Sequence, residues 1–300
     1  MVLADMENRL LICTNGFEGT WPSVEFGLWM AAAIGASVSL LAILEDGAEA
    51  SPAAQSQLNE LVQRAQALFT KNGLNITIER RNGNAEEVIP MAAGGDESIV
   101  VLGPLGRPIL RRFLVGRSIR SLLEEISTPV VYVPRACLPV SRMLFCAGGL
   151  GYDMNAEHLG VRLGLAAKAK ATLLHVAPPV DLEYPTAIAE REHWRDLVNT
   201  DTLTGRNLRR ALEQARAAGL DVEIKMRQGS VVDEIQAELR EGHYELVCMG
   251  SGHSARGLRQ LYEPNVTEEI AEASACPVLT ARHDPASPPP DGSLAEGSAV

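Results

Sequence analysis

The chain has 300 residues, which is the length of two ordinary domains at about 150 residues each. Apolar residues make up 46% of the sequence but aromatic residues only 4%, so a core built from this chain must be aliphatic. The formal net charge is −11, so the overall electrostatic field of the chain does not attract nucleic acid or anionic membranes. The apolar stretches, such as Trp29 to Ile34, are far shorter than the roughly 18 residues of a membrane-spanning helix.

The N-terminus and the cysteines favour a cytoplasmic protein. The segment MVLADMENRL carries acidic residues where a signal peptide needs basic ones, and no apolar core follows it. The five cysteines are dispersed without a CxxC pair, which is typical of reduced, buried thiols. They are Cys13, Cys137, Cys146, Cys248 and Cys276. Cys13 and Cys146 fall in predicted strands, so we expect them to pack inertly rather than to sense redox changes.

Strands and helices alternate along the first half. Short β-rich apolar runs predict strands at 10–14, 37–43, 75–80, 98–102 and 129–133. Periodic apolar segments predict helices at 21–35, 52–72, 84–93 and 115–126. Pro22 suits the first turn of its helix, and Gly73 follows the end of the next helix.

The second half repeats this alternation. Its strands are predicted at 143–147, 171–176, 221–226, 244–249 and 277–281, and its helices at 153–169, 188–218, 230–241 and 264–274. Asp153 is expected to cap one helix, and Gly219 to end another. The segment at about 178–200 either closes over a cleft as a lid or extends the helix that follows it. Strict alternation predicts an α/β fold, with parallel strands covered by helices on both faces.

Four segments of the first half recur in the same order in the second. They are LLICTNG (10–16) and MLFCAGG (143–149), NGNAEEVI (82–89) and QGSVVDEI (228–235), SIVVLGPLG (98–106) and YELVCMGSG (244–252), and STPVVYVPR (127–135) and ACPVLTAR (275–282). The shared order indicates an internal repeat rather than chance similarity of apolar runs. We therefore expect two domains, 1–138 and 139–283, and a disordered tail at 284–300 rich in Pro, Gly, Ser and Ala.

A glycine pattern after the fourth strand carries a family resemblance. Gly103, Gly106 and Gly116 have the spacing G-x2-G-x9-G, and they lie between a buried strand and a helix. This pattern resembles the nucleotide-binding signature of the universal stress protein family, and the resemblance covers nearly all of both halves. It implies a doubly wound, five-stranded parallel sheet of order 3-2-1-4-5 in each half. Ligands of such sheets bind where the strand order reverses, which is between strands 1 and 4.

The resemblance implies a phosphate site in the first half, with some departures from the family pattern. The expected phosphate contacts are Gly103, Gly106, Arg107, Gly116, Arg117 and Ser118. Arg117 stands where the family has a serine or threonine, and Ser118 follows one residue later. The family's strand-1 aspartate is replaced by Thr14 and Asn15, which we expect to face the nucleoside.

An arginine cluster accompanies this loop. It comprises Arg107, Arg111, Arg112, Arg117 and Arg120. Two interpretations stay open: a site for a phosphate or another anion, since arginine binds phosphate through two parallel hydrogen bonds, or a solvated basic surface.

The second half carries a degraded version of the same loop. Its counterparts are Gly250, Ser251, Gly252 and Asn265, with His253 at the expected position of the second glycine and Pro264 near the helix start. His175, at the end of a strand, is expected to be structural. The sequence has neither an HExxH nor a P-loop motif, so we predict neither a metal site nor a catalytic centre.

The resemblance implies a cytoplasmic stress-response protein that binds a small phosphorylated ligand, such as ATP or AMP, in the first half. Two alternatives stay open: a nucleotide-free module that binds a protein partner, and a slow ATPase, which ranks last because no base or magnesium-binding carboxylate is identifiable. The resemblance also implies that the halves form an intramolecular pseudo-dimer through strands 129–133 and 277–281, and such pairing removes an exposed sheet edge. Two such pseudo-dimeric chains are then able to associate further into a homodimer.

Overall fold

The structure, a computed structural model, describes residues 9–45, 51–94, 98–106, 122–123, 125–148, 154–177, 194–251 and 266–282. The strands of the first half are β1 (Arg9–Thr14), β2 (Ser37–Leu44), β3 (Thr77–Asn82), β4 (Ser98–Leu102) and β5 (Val130–Tyr132). Its helices are a 3-10 turn (Glu18–Thr20), α1 (Trp21–Ile34), α2 (Pro52–Lys71) and α3 (Ala85–Ala92).

The second half follows the same plan. Its strands are β6 (Arg142–Cys146), β7 (Lys170–Ala177), β8 (Asp221–Gln228), β9 (Leu246–Ser251) and β10 (Val278–Arg282). Its helices are α4 (Met154–Ala167), a 3-10 segment (Trp194–Asn199), α5 (Leu203–Ala217), α6 (Val231–Gly242) and α7 (Val266–Ala273). Within the described residues, no helix combines the length and apolar character needed to cross a membrane.

The ten strands form one continuous sheet. Its order is β3-β2-β1-β4-β5-β10-β9-β6-β7-β8, so each half has the predicted order 3-2-1-4-5. All pairs within a half are parallel, whereas β5 and β10 pair antiparallel across the seam, with Val131 opposite Leu279. Both of these side chains are fully buried. The prediction of a sheet for each half is therefore refined: the predicted pairing of the last strands joins the two sheets into one.

Each face of the sheet carries a core that runs through both halves. One core packs α1, α2, α4 and α5 against the sheet, and the other packs α3, α6 and α7. Alternation along β1 explains this division, since Leu10 and Ile12 belong to the first core while Leu11 and Cys13 belong to the second. The two halves therefore share their apolar layers as well as their strands.

The predicted helix ends are largely confirmed. Pro22 lies in the first turn of α1. Helix α2 ends in a Schellman motif, in which Gly73 N–H donates to the Thr70 carbonyl and Leu74 N–H to the Phe69 carbonyl, both at 3.0 Å. Gly219 ends α5 with the same pattern of bonds. The expected Asp153 cap, most of the helix at 115–126 and the tail at 284–300 lie outside the described residues.

Three predicted boundaries are wrong. The strand predicted at 75–80 is β3 (Thr77–Asn82) and the strand predicted at 244–249 is β9 (Leu246–Ser251), so both are displaced by two residues. The continuous helix predicted at 188–218 is broken, because Thr202 caps α5 by accepting a hydrogen bond from Gly205 N–H at 3.0 Å. A 3-10 segment precedes this cap, and Arg209 binds its end by donating to the Val198 and Thr200 carbonyls. The polar run before Thr202 thus satisfies backbone groups locally, in competition with a continuous helix.

A buried carboxylate holds α6 to β8. The Glu238 side chain is only 2% exposed, and it accepts hydrogen bonds from Tyr244 Oη at 2.7 Å and Arg227 Nε at 2.8 Å. Lys225 Nζ lies 2.6 Å from the same carboxylate. Burial opposes the ionisation of Glu238, but the hydrogen bonds from Lys225, Tyr244 and Arg227 outweigh it and hold its pKa below the usual range.

None of the five cysteines, which all lie in the described residues, forms a disulfide. Burial, with a smaller contribution from Glu79, raises the pKa of Cys13, and burial also raises the pKa of Cys248 and Cys276. A thiol that stays protonated is a poor nucleophile, which supports the packing role expected for Cys13.

Candidate ligand site at the carboxyl ends of β1 and β4

The strand order reverses between β1 and β4 in the first half. Strand β1 pairs with both β2 and β4, so the loops that follow β1 and β4 lie side by side at one edge of the sheet. These loops run from Asn15 to Thr20 and from Gly103 to Gly106 within the described residues. Ligands of doubly wound folds bind in such a crevice.

Thr14 shapes the first loop through its buried hydroxyl. Thr20 Oγ1 donates to the Phe17 carbonyl at 2.7 Å, which uses its one proton, so Thr14 Oγ1 is the donor in the 2.6 Å bond between the two hydroxyls. Thr14 Oγ1 also accepts a hydrogen bond from Gly16 N–H at 3.1 Å. The Thr14 side chain, which was expected to face the nucleoside, is thus buried and bonded within the loop.

Asn15 connects three strand ends with one side chain. Its Nδ2 donates to the Leu105 carbonyl at 2.8 Å and to Glu45 Oε2 at 3.3 Å, and its Oδ1 accepts from Phe17 N–H at 3.2 Å. Leu105 belongs to the loop after β4, and Glu45 directly follows β2. Asn15 therefore spans the crevice and orients a carboxylate toward it.

Glu45 places a buried carboxylate at the end of β2, beside the end of β1, which has none. It is only 8% exposed, and it lies at the same edge of the sheet as Asn15. The sequence-based prediction looked for an acidic group at the end of strand 1 alone and missed it. The signal was available: Glu45 lies two residues after the strand predicted at 37–43, and neighbouring parallel strands end at the same edge.

A surface ion pair fixes the start of α1. Glu18 accepts two hydrogen bonds from Arg64 of α2, at 2.8 and 3.1 Å, and these bonds lower the pKa of Glu18. The Arg64 guanidinium also lies 4.2 Å from the centroid of the Trp21 ring. These contacts attach the 3-10 turn to α2 and so position the loop that lines the crevice.

The glycines of the loop after β4 make close contacts within the protein. A Cβ at Gly103 would lie 3.1 Å from the Gly19 carbonyl oxygen and 3.2 Å from Thr20 Cα, so the two loops pack backbone to backbone. Gly106 has φ +61°, and a Cβ there would lie 2.1 Å from the Phe17 ring. The absence of a side chain at Gly106 therefore makes room for an aromatic ring that sequence reasoning had not singled out.

The other predicted phosphate contacts of the first half lie outside the described residues. These are Arg107, Gly116, Arg117 and Ser118, together with the rest of the arginine cluster. In the second half, Gly252, His253 and Asn265 likewise lie outside them.

The corresponding crevice of the second half has a different chemistry. Strand β6 is followed by Ala147 and Gly148, in place of Thr14 and Asn15. His175 Nδ1 lies 2.8 Å from the Ala147 carbonyl, so this nitrogen carries a proton and donates, as a structural histidine does. The Gly250 carbonyl accepts from Thr267 Oγ1 at 3.1 Å, and Ser251 pairs with Arg282 in the sheet. Among the described residues, no group of three or more His, Cys, Asp or Glu side chains is arranged to hold a metal ion.

Fold and site together define a class: a tandem protein of two doubly wound α/β halves, joined at their last strands, with a polar crevice at the switch point of the first half. The chain belongs to the universal stress protein family, whose model matches residues 6–134 and again residues 139–282. Among curated proteins, none matches the sequence.

Solved structures support the same fold. A universal stress protein from Archaeoglobus fulgidus is 15% identical, with a TM-score of 0.63 over 94% of this chain and 98% of that one. A putative universal stress protein from Pseudomonas aeruginosa is 14% identical, with a TM-score of 0.58 over 92% of this chain and 93% of that one. The cytoplasmic domain of a prokaryotic cation chloride cotransporter is 15% identical, with a TM-score of 0.50 over 92% of this chain and 95% of that one. The fold therefore occurs in proteins of different roles, and function has to be argued from the site.

Proposed function

We propose that this stress protein binds a small phosphorylated ligand, an adenine nucleotide such as AMP or ATP, in the crevice of its first half, and that it regulates without catalysis. One observation carries the proposal: a buried carboxylate and an amide, Glu45 and Asn15, converge on a glycine loop at the switch point of the sheet. Carboxylate and amide oxygens accept hydrogen bonds from ribose hydroxyls and the adenine amino group.

The phosphate end of the ligand lies toward the continuation of the glycine loop. In the sequence, this loop leads to Gly116, Arg117 and Ser118, which lie in the first turn of the helix predicted at 115–126. Backbone N–H groups at a helix start favour an anion, and an arginine binds phosphate through two parallel hydrogen bonds. The remaining arginines of the cluster raise the local concentration of the anion around a chain that is acidic overall.

The second half acts as a structural partner in this proposal. Its counterpart of Asn15 is Gly148, and the residue that follows β7, where Glu45 follows β2, is Pro178. Neither carries a polar side chain. The second half contributes to stability at the sheet seam, where β10 pairs with β5 and so covers its edge.

A nucleotide-free interaction module is the second candidate, and two observations favour it. The Asn15 amide hydrogens are already bonded to the Leu105 carbonyl and to Glu45, and the Phe17 ring lies against Gly106. A ligand in this crevice has to replace or rearrange those contacts.

Released nucleotide and calorimetry separate the two candidates. The purified protein is denatured and the supernatant analysed for nucleotide; the refolded or freshly purified apoprotein is then titrated with ATP, ADP and AMP. The proposal predicts one nucleotide per chain. No released nucleotide and no heat at millimolar concentration would favour the interaction module instead.

Substitutions assign the site to one half. Arg117→Ala should weaken nucleotide binding by about tenfold, the loss expected for a charged hydrogen bond, whereas His253→Ala should change it less than threefold. The reverse order would place the site in the second half. Gly148→Ala is the matched control for Asn15→Ala, because it changes the corresponding position of the second half. An added Cβ at Gly148 meets nothing within 4 Å, so this control should not disturb the fold.

The proposal also covers the cellular location and the oligomeric state of the protein. We expect a cytoplasmic protein that acts as a pseudo-dimer within one chain, with any homodimer formed through surfaces other than the paired β5 and β10 edges. Analytical ultracentrifugation of the full chain measures that state.

A further inference from the structure

Two cysteines lie beside the seam that joins the halves. Cys137 belongs to the segment that connects β5 with β6, and Cys276 lies two residues before β10. Strands β5 and β10 pair antiparallel with Tyr132 opposite Val278, so continuing this register brings Cys276 opposite Pro134. The segment that leaves β5 therefore runs alongside the residues that lead into β10.

The Cys137 thiol contacts the peptide unit that ends at Cys276. Its Sγ donates to the Ala275 carbonyl oxygen at 3.8 Å. A carbonyl oxygen lies about 2.8 Å from the next Cα of a trans peptide, so Cys137 Sγ is at most about 6.6 Å from Cys276 Cα. Both side chains also pack in the core on the same face of the sheet. The two thiols are thus near neighbours, although no bond joins them.

The two thiols differ in their access to solvent. Cys137 is half-buried, whereas Cys276 is only 6% exposed. Ser274 Oγ holds Cys276 in place, because it accepts from the Cys276 N–H at 3.2 Å and lies 3.4 Å from the Cys276 sulfur. Burial, and to a smaller extent the Cys137 sulfur, raise the pKa of the Cys276 thiol, against the Ser274 hydrogen bond and the Arg135 charge. A dissolved oxidant therefore reaches Cys137 first.

We propose that Cys137 and Cys276 are a peroxide-oxidisable pair, whose disulfide locks the segment after β5 to the start of β10. This modification site is independent of the nucleotide site proposed above. Disulfides of proteins in reducing compartments are usually transient and redox-sensing, so the reduced pair is the resting state.

The oxidation proceeds in two steps with a hydroperoxide as the oxidant. With hydrogen peroxide, the Cys137 sulfur attacks one oxygen: an S–O bond forms, the O–O bond breaks, and the leaving oxygen takes the thiol proton and departs as water. Cys276 then attacks the sulfur of the resulting sulfenic acid: the S–S bond forms, the S–O bond breaks, and the hydroxide leaves with the Cys276 proton as a second water. The two sulfurs together lose two electrons, which reduce the peroxide.

Thiol counting after treatment of the full chain with hydrogen peroxide tests the pairing. The reduced, denatured chain has five thiols, and we expect three after oxidation and five again after dithiothreitol. Peptide mapping without reductant should find the peptides of Cys137 and Cys276 linked within one chain. A count that stays at five, or a disulfide that joins another pair or two chains, would overturn the proposal.

Single substitutions assign the order of the two steps. Cys137→Ala should keep its four thiols after peroxide, and Cys276→Ala should form no disulfide but hold a sulfenic acid at Cys137, which dimedone traps. Cys146→Ala is the matched control, since Cys146 is also half-buried but lies in β6, and it should lose two thiols as the wild type does. Loss of two thiols in Cys137→Ala, or none in the control, would contradict the assignment.

Thermal unfolding tests whether the disulfide acts as a lock. The oxidised wild type should unfold about 4–8 °C above the reduced protein, because the cross-link restricts the unfolded chain. Cys137→Ala should unfold at the same temperature with and without peroxide. An unchanged or lower Tm of the disulfide-linked chain would overturn the lock.

Discussion

Replacing Glu238 by alanine should destabilise the second half more than any surface substitution. The change removes a carboxylate with 2% exposure and leaves Tyr244 Oη and Arg227 Nε without their acceptor. Breaking a fully buried ion pair costs about 3–5 kcal/mol. Lys225 is 41% exposed and Arg227 keeps Glu234 as a partner, so solvent and the remaining carboxylate reduce the expected loss to about 2–3 kcal/mol.

Glu241→Ala is the matched control for this loss. Glu241 contacts Arg227 and Lys225 as well, but its side chain is 59% exposed, so the expected loss is below about 1 kcal/mol. Urea unfolding at pH 7 measures both variants. Equal losses would refute the reasoning, because they would show that burial of Glu238 adds nothing to the ion pairs.

The ionisation of Glu238 should make the stability of the protein depend on pH. The pKa of Glu238 is lower in the folded chain than in the unfolded one, where it is about 4.3. The stabilisation is therefore complete above about pH 4.3 and is lost as the pH falls through the folded-state pKa. The stability difference between wild type and Glu238→Gln, whose side chain carries no charge at any pH, should be constant from pH 8 to 5 and shrink in more acidic solution. A difference that grows on acidification would contradict this sign.

Three further substitutions test the seam, the loop hydroxyl and the glycine packing. Within the described part of the chain, the buried Thr280 Oγ1 has no hydrogen-bond partner, so Thr280→Val should raise the free energy of unfolding by about 1 kcal/mol in urea titrations. Thr14→Val makes the same chemical change where the hydroxyl is bonded, and should lower that free energy by about 1–2 kcal/mol; a change of the same sign at both sites would refute the assignment. Gly103→Ala places a Cβ against the backbone of Gly19 and Thr20, and should lower the free energy of unfolding by about 1–2 kcal/mol and Tm with it. An unchanged Tm would show that the two loops separate freely.

The architecture was predictable because several local signals agree. Strict alternation of strands and helices, with right-handed crossovers, leaves few arrangements for a parallel sheet. The ordered repeat extended one arrangement to both halves. The family resemblance implied the strand order and the pairing of β5 with β10, which also removes an exposed edge. The break before α5 escaped prediction because Thr202, whose side chain caps the helix, was not recognised as a helix start.

The site was predictable only in part. The sequence placed Thr14, Asn15 and the glycine loop at one edge of the sheet, and the structure confirms that these loops lie together. It did not reveal that Asn15 bridges to Leu105 and Glu45, because those contacts join residues separated by 90 and 30 positions. Phe17 was missed for a similar reason: an aromatic residue in a loop has no periodic signal, and its partners are two glycines from distant segments.

Hydrogen–deuterium exchange of the full chain, with and without saturating AMP, tests the location of the ligand most directly. Binding in the first half predicts slower exchange in the peptides that contain Asn15 to Thr20 and Gly103 to Gly106, with unchanged exchange after β6 and β9. Protection confined to the loops after β6 and β9, or no protection at millimolar AMP, would contradict a nucleotide site in the first half.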